Sequence, residues 1–335
     1  MTKKFNIKSI ISLTAFFALF CMLLSGCGKK PPKVYRVGIL SGAESFVNIV
    51  DGFKAKMSEL GYIEGKNIVY DIHKSNVDPA QEQQVAKKFV ADKVDLIFAF
   101  PTEAAFAAKS ATCKTAIPVV FAMAGIEGNN LVESVRQPGG NITGVRFPNK
   151  ESTAKRLEFL HELVPNAKRI YLIYDPTFPN APFAMEALHA AAAPLGITFV
   201  EDFVKNIEEY KLALKKRAAM KHIGVDAVFL MPDFMNASPE GLAVIVKFAN
   251  EYNLPVGGGM DISADGGAMF SFVPSNFEQG RLAADLADKI FKGTSAGTIP
   301  VVTPELRLRL NYKVIRKLGL DVPDGLLNRA DEIIR

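Results

Sequence analysis

The chain has 335 residues, close to half of them apolar, with charged residues interspersed rather than gathered in blocks. Its formal net charge of +5 comes with no basic arm and no aromatic-basic stripe, which gives nucleic acid no footing. Of three cysteines, Cys21 and Cys27 lie near the amino terminus and only Cys113 falls in the body, so an internal disulfide is excluded.

Lys3, Lys4 and Lys8 precede an uncharged run from Ile10 to Leu24 of signal-peptide length, too short and wrongly flanked for a membrane span. Leu24-Ser25-Gly26-Cys27 follows as a lipobox, in which small residues admit a signal peptidase and the Cys27 thiol takes lipid, with palmitate as the acyl group expected. Residues 1–26 are therefore expected to be a lipoprotein signal peptide and 27–33 a lipid-anchored tether, its Pro31-Pro32 favouring extended geometry. The expected location is the periplasmic side of a membrane or the cell surface, held by lipid alone.

From Val37 onward short β-branched runs alternate with helical segments, the rhythm of an α/β protein with parallel sheets. Strand Arg36–Leu40 leads through Ser41-Gly42-Ala43 into a helix in which Phe46, Ile49, Val50, Phe53, Met57 and Leu60 recur at helical spacing, stopped by Gly61. Then come strand Ile68–Ile72, helix Pro79–Asp92, strand Val94–Phe100, a helix opened by Pro101-Thr102, strand Ile117–Phe121 and strand Ile142–Phe147. The rhythm restarts with helix Thr153–Val164, strand Arg169–Tyr174, helix Pro182–Leu195, strand Ile197–Val204, helix Ile207–Lys221, strand Val225–Met231, helix Glu240–Tyr252 and strand Pro255–Gly257. Strand Ala268–Val273, helix Phe277–Phe291, strand-like pieces Ile299–Thr303 and Leu306–Leu310, a last helix and the tail Leu326–Ile334 close the chain. Two similar lobes explain this better than one sheet: residues 34–146 plus 275–300, and 147–274 plus 301–335. Hinge strands are expected at Thr143–Phe147, Phe270–Pro274 and Val301–Pro304.

Catalytic and metal motifs are missing from the sequence: no Gly-x-Ser-x-Gly elbow, Cys-x-x-Cys, His-Glu-x-x-His or phosphate-loop lysine. The four histidines are scattered, Gly257-Gly258-Gly259 and Gly266-Gly267 precede no helix, and Cys113 in its Ala-rich run reads as an inert thiol. No cofactor, no metal and no enzymatic activity are expected. Informative instead are the loops after the strands, where open α/β sheets bind ligands and helix N-termini present free amides. One lobe offers Ser41-Gly42-Ala43, Pro101-Thr102-Glu103 and Ala122-Met123-Ala124; the other offers Asp175-Pro176, Asp233-Phe234, Met260-Asp261 and Ser275-Asn276. Candidate ligand contacts are Ser41, Thr102, Glu103, Ala124, Asp175, Asp233, Asp261 and Ser275, suited to a small polar or zwitterionic molecule. Asp175, Asp233 and Asp261 are equally explained as helix caps or turn residues.

Five stretches carry a resemblance: Leu60–Asn67 (LGYIEGKN), Lys88–Ile97 (KFVADKVDLI), Pro138–Val145 (PGGNITGV), Leu163–Ile170 (LVPNAKRI) and Leu326–Ile334 (LLNRADEII). Together with the lipobox they resemble, in order along the chain, ABC-transporter substrate-binding proteins of the tryptophan/tyrosine type, with a type I periplasmic-binding-protein fold. The resemblance implies two Rossmann-like lobes, a three-segment hinge and a ligand closed between them, an aromatic amino acid in many relatives. It places Thr102 in the ligand-carboxylate pocket and Asp175 on the Asn/Asp after the second lobe's first strand. Three positions depart from the pattern: Met260 replaces an aspartate suited to an amine, Ser275 another aspartate, and Ile126-Glu127 an Asp-Pro loop. Glu103 then becomes a carboxylate that could take over an amine.

The first functional expectation is a monomeric solute receptor for an ABC importer, partnered by permease and ATPase subunits and a small-molecule solute. The second is a ligand-sensing lipoprotein reporting to a signalling partner. The third, an exported hydrolase, requires a nucleophile–base or carboxylate pair that the sequence does not offer.

Overall fold

A computed structural model describes residues 33–42, 46–76, 78–260 and 263–335. The signal segment, Cys27 and Asp261 lie outside the described residues. The first half builds β1 (Tyr35–Ser41), α1 (Val47–Glu59), β2 (Ile68–Lys74), α2 (Pro79–Ala91), β3 (Leu96–Phe100), α3 (Thr102–Thr112), β4 (Val119–Ala124) and β5 (Ile142–Arg146). The strands form one parallel sheet in the order β2-β1-β3-β4-β5. Strand alternation sends Leu96, Phe98 and Phe100 of β3 to one face and Ile97 and Ala99 to the other, so both faces are apolar and both need cover. Helices α2 and α3 cover the second face with Phe89 and an alanine row. The helix starts follow local chemistry: Asp78 accepts from the Ala80 amide at 2.8 Å, and Pro79 occupies the first helical position.

The other face is covered by α1 and by a helix from far along the chain, α9 (Asn276–Phe291). The α1–α9 seam is tight because both sides carry glycine. A Cβ at Gly52 would lie 1.9 Å from the Phe277 carbonyl oxygen, and one at Gly280 would lie 2.0 Å from that of Ile49. Gly280→Ala must push the two helices apart, and overpacking of this kind costs about 1–3 kcal/mol. A lowered urea midpoint with the ligand-free protein is the expected result; an unchanged midpoint would show the seam to be slack.

The second half contributes α4 (Asn149–Leu163), β6 (Arg169–Tyr174), α5 (Ala181–Ala192), β7 (Thr198–Phe203), α6 (Ile207–Ala218), β8 (Ala227–Phe229), α7 (Phe234–Ala237), α8 (Pro239–Glu251) and β9 (Val256–Gly257). Its parallel sheet runs β7-β6-β8-β9 between two apolar layers, α4 and α5 on one face and α6 and α8 on the other. A bridge from Gly259 to Ser271 connects it to a smaller sheet of β10 (Phe270–Val273), β11 (Arg307–Asn311) and β12 (Glu332–Ile334). There β10 and β11 are antiparallel, β11 and β12 parallel. Short helices α10 (Tyr312–Lys317) and α11 (Asp324–Leu327) pack Ile315 and Leu326 into the same core.

The chain passes between the two cores three times, near residues 147–149, 273–276 and 302–307. Two of these passages lie side by side: the Val302 amide donates to Gly144 and the Arg146 amide to Val302, both at 2.9 Å. The architecture is thus α/β with two Rossmann-like lobes. The expected strand Ile299–Thr303 shrinks to a single bridge at Val302, since Pro300 and Pro304 cannot donate to a ladder. The helix expected to begin at Thr153 begins four residues earlier, and the loop after β8 holds a one-turn helix that periodicity could not register. Cys113 is exposed at the end of α3, and His73, without an evident partner in the sequence, sits 2.9 Å from an Asp71 carboxylate oxygen. No described helix is long and apolar enough to cross a membrane.

Candidate functional site

Between the lobes lies a cleft of about 440 Å³, part of it open to solvent. The first lobe supplies Phe46, Pro101, Thr102 and Met123, with Phe147 at the crossing; the second supplies Phe178, Asn180, Pro232, Asp233, Phe234, Ala237 and Met260. Nine of these twelve are apolar, so the cavity selects a ligand with a substantial apolar part and only a few polar groups.

The strand ends aim the walls. In β4 the register slips between Phe121 and Ala124, and Met123 adopts a left-handed backbone with φ of 50°. A bulge with a strained residue at its apex re-aims a side chain, here the one that lines the cleft. Next to it α3 begins at Thr102 with no side-chain cap from Pro101; the Glu103 carboxylate takes its own backbone amide, and the remaining first-turn amides can face an anion.

Asp233 stands on the opposite wall, 3% exposed. Its carboxylate accepts from the Asn236 amide at 2.8 Å and from Asn236 Nδ2 at 3.0 Å, capping α7. Asn236 is fixed in turn: its Nδ2 donates to the Ile173 carbonyl at 2.9 Å, and its Oδ1 accepts from the Tyr210 hydroxyl at 2.9 Å. Burial drives the Asp233 pKa up to about 7, against the downward pull of Asn236 and the Asp175 backbone amide. A carboxyl so placed gains most from a cationic partner that arrives with the ligand.

A polar seam joins the lobes. Thr102 Oγ1 accepts from the Gly125 amide at 3.0 Å and from Asn180 Nδ2 of the other lobe at 3.5 Å. The Asn180 carbonyl accepts from Asn149 Nδ2 at 3.0 Å, beside the first crossing. The side chain of Asn180 presses on Gly125, where a Cβ would lie 2.0 Å from its Oδ1. The clamshell is closed.

Of the eight residues expected to contact ligand, Thr102 and Asp233 line this cavity. Ser41 is buried at the end of β1, where its carbonyl accepts from the Ser75 amide. Ala124 is likewise buried, its carbonyl accepting from the Phe147 amide at 2.8 Å. Asp175 makes a turn, accepting from the Thr177 amide at 2.8 Å and hydroxyl at 2.7 Å; it acts on Asp233 through its own amide, which lowers that pKa, and through its charge, which raises it. Ser275 caps α9 and lines a separate groove with Asn48 and Arg307. Glu103 does not line the cavity: its Oε2 is buried without a partner and burial raises its pKa. Its charge adds to the rise at Glu82, which burial chiefly pushes to about 7. Asp261 falls outside the described residues, next to Met260 in the lining.

Sequence reading named the Asp233-Phe234 loop but missed Asn180 and the rings of Phe46, Phe147 and Phe178. A signal for Asn180 existed: it precedes Ala181-Pro182 at a helix start in the second lobe, yet its side chain makes no cap bond and is free to reach across. Among the described residues no group of three or more His, Cys, Asp or Glu side chains could hold a metal ion.

Comparison with known proteins agrees with this geometry. A tyrosine-binding protein of Clostridioides difficile strain R20291 is 28% identical over 329 residues, covering 93% of each chain. The structure of an ABC domain in complex with L-Trp from Streptococcus pneumonia superposes with a TM-score of 0.81 at 25% identity, over 90% of this chain and 100% of that one. A ligand-free, open substrate binding protein with adhesive properties from Clostridium difficile reaches 0.66 at 26% identity, over 89% and 99%. The family model described as ABC transporter substrate binding protein matches residues 36–334. A closed two-lobed clamshell, an apolar cavity with a few convergent polar groups, and a family match over nearly the whole globular part lead to one assignment: this chain belongs to the ABC transporter substrate-binding proteins, extracytoplasmic solute receptors, not enzymes, that work with permease and ATPase subunits.

Proposed function

We propose that the protein is the receptor of an ABC importer for an amino acid with an aromatic side chain. The observation that carries this is the cavity itself: a shell of Phe, Met and Pro side chains with a buried carboxylate on one wall and an uncapped helix start on the other. In this reading Asp233 takes the ligand ammonium, Thr102 and the first amides of α3 take the carboxylate, Asn180 closes over it, and the rings enclose the side chain. The relative named for tyrosine and the higher TM-score against the tryptophan complex than against the open, ligand-free protein support it. Of the other residues expected to contact ligand, Asp261 stays a candidate through its neighbour Met260, while Ser41, Glu103, Ala124, Asp175 and Ser275 act by shaping the loops.

Calorimetric titration at pH 8 with L-tryptophan, L-tyrosine, L-phenylalanine, L-glutamate, L-arginine, D-ribose and myo-inositol tests the reading. Saturable binding confined to the aromatic amino acids is expected. Binding of a sugar or cyclitol alone would replace it.

The two lobes of this receptor are proposed to be residues 34–146 with 275–300 and residues 147–274 with 301–335, Val301 still packing into the first lobe's core. We also propose that lipid on Cys27 holds the receptor at the membrane through the short tether before Lys33. Wild-type protein should partition into detergent and the Cys27→Ser variant should not; wild type recovered from the aqueous phase with an unmodified amino terminus would remove the anchor.

A further inference from the structure

Arg156 on α4 is fully buried, and among the described residues no carboxylate stands within ion-pair distance of it. Burial lowers its pKa to about 9. A guanidinium removed from water without a counter-ion is a liability unless its donors are used. Two of its bonds stay on its own helix: Nε donates to the Ser152 carbonyl at 3.3 Å and Nη2 to Thr153 Oγ1 at 2.9 Å. The other two leave it: Nη1 donates to the carbonyls of Gly258 at 3.2 Å and Leu230 at 3.5 Å.

These two acceptors are the first residues beyond β9 and β8. Two positions after Leu230 come Pro232 and then Asp233; two positions after Gly258 comes Met260, so one cation bridges the roots of two cleft walls. The plane beneath it is the Phe229 ring, 5.2 Å from the guanidinium carbon. Gly258, at φ of 78°, lies against the same ring, where a Cβ would come within 2.8 Å. At its amino-terminal end α4 starts at Asn149, two residues after Phe147, the cleft residue of the first crossing.

We propose that Arg156 is a positioning residue for ligand binding: from inside the second lobe it sets the spacing of the Pro232–Asp233 and Met260 walls and ties that spacing to the helix leaving the hinge. This rests on the cleft being the ligand site. The planar fork is required because one nitrogen serves two carbonyls while the others anchor to the helix. Lysine can reach one carbonyl; methionine fills the volume and leaves both unserved.

The experiment compares Arg156→Met and Arg156→Lys with Leu188→Ala, a cavity variant in the same lobe's core away from the cleft. L-Tyrosine affinity is measured well below every melting temperature, and hydrogen exchange is followed in the ligand-free proteins. Arg156→Met should bind at least tenfold more weakly and Arg156→Lys should recover part of the loss. Leu188→Ala, though destabilised, should bind as wild type. Faster exchange should be confined to residues 230–237 and 256–260. A methionine variant that is less stable yet binds within twofold of wild type, with unchanged exchange in those segments, would overturn the proposal. If methionine prevents folding, the lysine variant carries the same comparison. If wild type binds L-tryptophan or L-phenylalanine instead, that ligand replaces L-tyrosine in the comparison; if it binds none of the three the ligand reading fails, and the exchange pattern alone decides the role of Arg156.

Discussion

Asp233→Asn should weaken aromatic amino acid binding by about two to three orders of magnitude while leaving the fold intact. Asparagine still offers an oxygen to cap α7, so the loss reports the charge rather than the helix. Breaking a buried charged contact costs about 3–5 kcal/mol, and about 1.4 kcal/mol is tenfold in affinity. The pH dependence has two opposite signs. In the ligand-free protein burial raises the Asp233 pKa from 3.8 to about 7, so the folded state holds the proton more tightly than the unfolded state. Its contribution is fully present below the ordinary value and is lost as pH rises through about 7; Glu82, raised from 4.5 to about 7, adds in the same direction. Ligand binding needs the ionised carboxylate, so ligand-induced stabilisation should grow as pH rises through 7. Thermal melts from pH 5 to 8 with and without L-tyrosine should therefore converge at low pH and diverge at high pH. Parallel curves would show that Asp233 does not meet the ammonium.

Gly125→Ala should leave the ligand-free stability near wild type and weaken binding at least tenfold, because the added methyl occupies the place of Asn180 when the lobes close. Closure and binding are one equilibrium, so whatever opposes the first lowers the apparent affinity of the second. Small-angle scattering of the variant with L-tyrosine should stay closer to an open form than wild type does. The clash predicts a particular coupling: once Asn180→Ala has removed the obstructed side chain, adding Gly125→Ala should cost almost nothing more. Additive losses would mean that Gly125 acts by some route other than this seam.

The fold was legible because β-strand runs such as Leu96–Phe100 are apolar throughout, the mark of a strand covered on both faces. Strand Arg169–Tyr174 matches the expected bounds because an Asp226 carboxylate pins its first residue, and neighbours β7 and β8 hold it on both sides. Ends set by tertiary contact were less visible: Asn149 enters α4 by bonding across to Asn180, which no local pattern announces. The site was half legible. Thr102 and Asp233 stand at strand ends, where topology places ligands. Ser41, Ala124 and Ser275 stand at such ends too, yet their polar groups are taken by carbonyl and cap bonds that only the packed structure assigns. The aromatic lining was partly hidden because Phe46 and Phe147 converge from distant segments whose apolar character already had a helix or strand explanation, while Phe234 stood in a loop already named.

The glycine seam between α1 and α9 also governs the order in which the molecule can be made. Helix α1 leaves the ribosome early, but the partner that covers Ile49 and Phe53 is encoded more than two hundred residues later. The sheet of the other lobe closes among residues lying between 149 and 257, with no such wait. A chain stopped before residue 275 would have the second parallel sheet with its helices but not β11, β12, α10 and α11, and the first sheet would still lack the helix that covers its α1 face. The parallel sheet that begins first is thus covered only after the second parallel sheet has been made, and the last residues of the chain then complete the other lobe.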